Sequence, residues 1–127
     1  MSSDSDRITA ALDRLEQVQA DLSTISARTD DRRRADLVNL RRQLSDAIAH
    51  VGEVANPVVT RRCDADDQRL YRAKFSAMRS ATALHQANWP AVTLDDAPDQ
   101  HRESARGVRV ANHDFVAWMR ALLLRLP

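Results

Sequence analysis

The chain has 127 residues and a formal net charge of +1. That length fits one domain with a useful core and leaves little room for a second. So balanced a charge excludes recruitment of nucleic acid or anionic membrane by bulk electrostatics.

The chain reads as helical from its start. Residues 1–51 contain neither Gly nor Pro, the two strongest helix breakers. Residues 1–6 are short, polar and expected to be flexible, with neither the basic start nor the apolar run of a signal peptide. Ile8, Ala11, Leu15, Val18, Leu22 and Ile25 then recur at three- and four-residue steps, predicting a helix over 7–28. Leu37, Leu40, Leu44, Ala47 and Val51 repeat the spacing over 31–54. The two sets are out of phase by one residue, a rotation of about 100°. A continuous rod of about 75 Å would therefore bury two different sides. A tight turn at Thr29-Asp30-Asp31 resolves the conflict, with Thr29 or Asp30 as N-cap.

Gly52 and Asn56-Pro57 are expected to end the second helix, leaving residues 57–63 as a connector. The third helix, 65–88, opens on Asp64, Asp66 and Asp67, and its apolar content is Leu70, Tyr71, Phe75, Met78, Leu84 and His85. Trp89-Pro90 closes it. Val92 and Leu94 in the following loop are expected to tuck against the bundle. Pro98 and Asp99 suit the first turn of a fourth helix, 99–126, with Ala105, Val108, Ala111, Phe115, Trp118, Met119 and Leu122 on one side. Gly107 inside it suggests close approach of a neighbouring helix.

Four helices of matched length joined by short links predict an all-α, antiparallel up-down four-helix bundle forming one domain over 7–127. The first pair offers narrow seams, a coiled-coil hairpin or dimer interface, with Ile8, Leu15, Leu22, Leu37 and Leu44 as the self-association residues. Every aromatic lies in the second half, so the wide core is expected between helices three and four.

Motifs with chemistry are few. His85-Gln-Ala-Asn-Trp-Pro90 resembles the phosphoacceptor box of sensor histidine kinases, which implies an exposed imidazole that accepts a phosphoryl group. The acid of that box is Gln86 here. His85 also continues the Tyr71–Phe75–Met78 stripe, which makes it a core or subunit-boundary histidine with a hydrogen-bond partner. The three glutamates, Glu16, Glu53 and Glu103, do not furnish the paired Glu-x-x-His motifs of di-iron bundles. His50 and Glu53 lack a facing pair, and His101 and His113 point about 120° apart. No metal and no cofactor is expected. The lone Cys63 makes no internal disulfide and reads as an inert loop thiol in a reducing cytoplasm. Arg32-Arg33-Arg34 and Arg41-Arg42 raise nucleic-acid binding. Interleaved Asp30, Asp31 and Asp36 and the missing aromatics favour intrahelical pairs such as Asp30–Arg34 instead.

Charge placement gives the main functional expectation. Residues 68–94 hold no acid, while Arg69, Arg72, Lys74 and Arg79 are present. In the fourth helix Arg102, Arg106, Arg109, His113 and Arg120 form one stripe. The sequence therefore predicts a non-catalytic protein–protein interaction module of a bacterial cytoplasm, a signalling adaptor or regulator. It would dock an acidic partner through Arg69, Arg72, Arg79, Arg102, Arg106, Arg109 and Arg120, and self-associate. The alternatives are phosphotransfer through His85 and a nucleic-acid accessory role. No apolar run approaches the roughly 20 residues that span a bilayer, so a soluble protein acting through its outer faces rather than a cleft is expected.

Overall fold

The computed structural model describes residues 3–93 and 95–126. It contains α1 (Asp4–Ser23), α2 (Arg33–Arg62), α3 (Ala65–Asn88) and α4 (Pro98–Arg125), with 3-10 turns at Ile25–Ala27 and Ala91–Thr93. No strand occurs among the described residues. Contacts run from α1 to α2, α2 to α3, α3 to α4 and α4 back to α1, an antiparallel up-down four-helix bundle as the periodicity predicts. The 24–32 and 89–97 links share one end of the bundle, here the linked end. The Cys63–Asp64 link lies at the other, the terminal end. No described helix is long and apolar enough to cross a membrane.

Local chemistry sets the helix boundaries. Ser3 caps α1 in a capping box: its hydroxyl accepts from the Asp6 N–H and the Asp6 carboxylate accepts from the Ser3 N–H. Asp4 to Asp6 are thus helical rather than flexible, while Met1 and Ser2 lie outside the described residues. The Thr24 hydroxyl donates to the Asp21 carbonyl at 2.8 Å as α1 ends, earlier than residue 28. The break between the first two helices is real, but neither Thr29 nor Asp30 caps α2. Its N-cap is Arg32, which makes no side-chain cap. Asp30 instead takes a two-pronged bond from Arg28, at 2.8 and 2.6 Å, which holds its carboxyl down to about 2. Arg34 bonds Asp95 across the bundle end at 3.0 Å rather than Asp30, and Arg33 joins it at 2.7 Å.

The main correction concerns α2, which continues through Gly52 and Pro57 to Arg62. Pro inside a helix deletes one hydrogen bond and costs ~3 kcal/mol. Pro57 and Glu53, whose carbonyl loses its donor, are both on the exposed side, so water can serve that carbonyl. Ala55, Val58 and Val59 beyond the expected stop are fully buried, and each Val contributes ~1.5 to 3 kcal/mol of burial. Packing therefore outweighs the local signal. Gly52 is not a terminator but a seat: a Cβ there would stand 2.9 Å from Cζ of Phe75. Gly107, by contrast, has nothing within 4 Å of a would-be Cβ, so no neighbouring helix explains it. Val92 is 76% exposed rather than tucked in, and Leu94 lies outside the described residues.

The core is also differently placed from expectation. Its largest fully buried side chains come mainly from α1, α2 and α4, among them Ile8, Leu12, Leu15, Leu44, Phe115 and Met119, with Met78 alone from α3. The α3 helix buries only Tyr71, Met78 and Thr82. The main core therefore joins α1, α2 and α4, with α3 packed on its side. An aromatic trio fixes α3 there: Phe75 lies 5.8 Å from Tyr71 and 5.7 Å, edge-on, from Phe115. Arg79 covers the outer face of Phe75 at 5.7 Å.

Candidate functional site

Each helix presents one inward line of residues at alternating four- and three-residue steps. On α2 the line is Leu37, Arg41, Leu44, Ile48, Val51, Ala55 and Val58. On α4 it is His101, Ala105, Val108, Asn112, Phe115, Met119 and Leu122. The α3 line runs Tyr71, Phe75, Met78, Thr82, His85, Trp89, and the α1 line Ile8, Leu12, Leu15, Gln19, Leu22. Toward the terminal end these positions are almost wholly apolar. Toward the linked end they carry Gln19, Arg41, Thr82, His85, His101 and Asn112. Polar side chains of mixed length do not interdigitate as Leu and Phe do, and there the helices enclose a pocket.

The pocket has a volume of about 350 Å³ and is lined by all four helices. Leu22, Ile25, Leu37, Leu44 and Val108 give it an apolar wall, and Arg41, Thr82, His85, Gln86 and His101 supply the polar groups. At the mouth, Asp99 bonds Arg102 and Glu103 stands 4.0 Å from Arg106. These exposed pairs largely cancel one another. A smaller cavity of about 180 Å³ adjoins it, sharing Gln19, Ser23 and Arg109 and reaching Asn112 and His113.

Arg41 is the anomaly. Its guanidinium has no hydrogen-bond or ion-pair partner among the described residues, and its Nη2 is fully buried. Burial accordingly pushes its pKa below the ordinary arginine value. Protein interiors rarely keep a charge without a counter-charge, because desolvation costs several kcal/mol per ion. Beside it sit two imidazoles with ring centres 5.3 Å apart. Burial, then Arg41 and the neighbouring ring, hold His85 down to about 4. Burial, then Arg41 and Arg33, lower His101 as well. Both are therefore neutral near pH 7. His101 is 7% exposed with an unpartnered Nε2, and Trp89 meets its ring edge-on at 5.5 Å. The first turn of α4 places it: Ala97, in a left-handed conformation with φ 44°, accepts the His101 N–H at 3.0 Å. Asn112, also buried, donates to Gln19 at 2.6 Å, while its Oδ1 has no partner.

His85 thus has the hydrogen-bond partner expected of a packed histidine. Its Nδ1 lies 2.7 Å from the Ser104 hydroxyl. The pair has the outline of a nucleophile and base, but a base held near 4 draws little proton from serine at neutral pH. The N–H groups around Ser104 are engaged in the α4 ladder, so none is aimed at an oxyanion. The bond orients the imidazole. Phosphoryl acceptance at His85 also lacks geometric support, since the ring is half-buried and its neighbours are Arg41, His101 and Ser104 rather than an acid.

The remaining candidates scatter. Arg102, Arg106 and Arg109 surround the pocket, but Arg120 is bound to Asp13 at 2.8 Å and Glu16 at 2.6 Å, closing the far end of the stripe. Arg69, Arg72 and Arg79 are exposed on α3, away from the pocket; Arg69 reaches Asp66 at 3.0 Å. Ile8, Leu15, Leu37 and Leu44 lie inside the chain's own core and Leu22 lines the pocket, so the seams are filled within one chain. His50 and Glu53 form a loose surface pair at 3.7 Å. The Cys63 thiol is pushed up by burial and by Asp67 and Asp64, the reverse of activation. Of the arginine runs, Arg33 and Arg34 are taken by Asp95 and Arg41 faces the pocket.

Sequence reasoning missed Arg41, Thr82, His101, Ser104 and Asn112. The signal was available for four of them: polar residues at positions that continue an apolar seam. Ser104 is off the seam, and only the packing of α3 on α4 brings it to His85. The expectation of a protein without a cleft is corrected by the same geometry. No protein-family model, no curated protein and no solved structure matches this chain.

Proposed function

We propose that this chain is a non-catalytic binding module that takes a small molecule into the pocket at the linked end of the bundle. The carrying observation is the pocket itself: about 350 Å³ between four helices, with an apolar wall and a few converging polar groups. That size and lining are typical of small-molecule sites. NMR titration with 1-octanol, indole and benzoate tests it. At least one of these probes should bind saturably, one per chain, with shifts concentrated at His85, His101 and the Trp89 indole. Shifts that never saturate for all three would end the reading.

A second reading, an interaction module for a protein with an acidic surface, rests on Arg69, Arg72 and Arg79 of α3. All three are exposed, as are Leu70 and Leu84 on the same helix. A role as signalling adaptor or regulator belongs with it. Charge reversal at Arg72 and Arg79 should release such a partner, and rising salt should weaken it. Self-association through Ile8, Leu15, Leu37 and Leu44 requires exchange of helices between chains, because those side chains are already buried. Light scattering at high micromolar concentration decides whether that happens.

A further inference from the structure

We infer that the pocket selects a monocarboxylate with an apolar body of about ten non-hydrogen atoms, its carboxylate paired with Arg41. The inference rests on the reading of the pocket as a small-molecule site and adds the ligand's class. Three observations carry it. First, Arg41 is a pocket-lining guanidinium with a buried nitrogen and no acceptor among the described residues. A buried donor left without a partner is destabilising, so an acceptor supplied from outside gains the full value of that bond. Guanidinium and carboxylate match in planar, two-pronged geometry. Second, His101 adds an unpartnered, nine-tenths-buried imidazole to the same wall. With the proton on Nε2 it donates to an anion.

Third, the charge inside the pocket is small. The acids of the lining, Asp99 and Glu103, lie at the mouth on Arg102 and Arg106, and both pocket histidines are held neutral. Among the described residues Arg41 is then the unpaired lining cation with a buried nitrogen, whereas Arg109 on the same lining is exposed to water. One buried charge suits one negative charge, and a dianion would carry the excess into an apolar wall. Leu22, Ile25, Leu37, Leu44 and Val108 then receive a hydrocarbon chain or ring. The volume of about 350 Å³, at roughly 30 Å³ per water-sized group, holds about a dozen such groups.

Titrating the full-length protein at pH 7.5 with octanoate, 1-octanol, octylamine and inorganic phosphate tests the assignment. Calorimetry gives affinity, and NMR locates the site. Octanoate should bind one per chain and at least about tenfold more tightly than 1-octanol, the difference expected of a charge-assisted bond. Octylamine should bind weakest. In Arg41→Met, with helicity and melting verified, octanoate should fall to the affinity of 1-octanol while 1-octanol is unchanged. Equal binding of octanoate and 1-octanol in the wild type overturns the carboxylate assignment and leaves the small-molecule pocket standing. Phosphate binding more tightly than octanoate overturns it in favour of a dianion. Failure of octanoate while 1-octanol or indole binds overturns the carboxylate assignment alone, and failure of octanoate, 1-octanol, indole and benzoate alike removes both readings.

Discussion

The two ends of this bundle are built from the same helices and the same spacing, yet they do different things. At the terminal end the inward positions hold Ile8, Leu12, Leu15, Val58, Tyr71, Phe115, Met119 and Leu122, which are almost completely buried. At the linked end the inward positions hold Gln19, Arg41, Thr82, His85 and His101, and a pocket opens between them. The lesson is that a helical repeat specifies where a residue points, while its chemistry decides whether the space there is filled. One end supplies stability, which allows the other to keep unpaired polar groups.

The largest effect should come from the filled end. Phe115→Ala removes the ring that meets both Tyr71 and Phe75, and should destabilise the fold by about 3 to 5 kcal/mol in chemical denaturation. An equal loss from Thr82→Ala, whose hydroxyl donates to the Met78 carbonyl within α3, would erase the distinction between the two ends.

A second contrast is with pH. His85 has a native pKa near 4 against about 6.5 unfolded, so between these values the unfolded chain binds more protons. Stability should be full above about pH 6.5 and decline as pH falls toward 4. The loss is on the order of 1 to 2 kcal/mol after allowance for solvent screening. His101 shifts in the same direction. In His85→Gln the slope over this window should flatten; an unchanged slope would place the titration elsewhere.

The two glycines sharpen the comparison further. Gly52→Val thrusts two methyl groups toward Phe75, where even a Cβ is crowded, and should cost about 1 to 3 kcal/mol. Gly107→Ala meets open space and should stabilise α4 by about 1 kcal/mol in thermal melts. A loss at Gly107 would contradict the open space above it.

Much of this architecture was legible in the sequence. Strict periodicity in α1, the one-residue phase slip before Leu37, the Asp-rich start of α3 and Pro98 at the start of α4 are local signals, and local forces satisfy them. Pro57 and Gly52 misled because their meaning is tertiary. The buried run Ala55, Val58 and Val59 carries α2 past the proline, and Phe75 occupies the space over the glycine. The pocket was hidden for a related reason. Arg41 looked like half of an Arg-Arg pair, and His101 like one of two histidines pointing apart, until their positions were counted along the seams that bury Leu44 and Phe115. Arg120 looked free because Asp13 and Glu16 are about a hundred residues away in sequence.

The melting temperature of ligand-free Arg41→Met against ligand-free wild type tests the central claim most directly. If the guanidinium is held unpaired for a ligand, an apolar side chain of similar reach should suit the empty pocket better and raise the melting temperature by several degrees, corresponding to about 1 to 3 kcal/mol. A fall in melting temperature would show that Arg41 supports the fold, and would contradict the account of the linked end as a binding site.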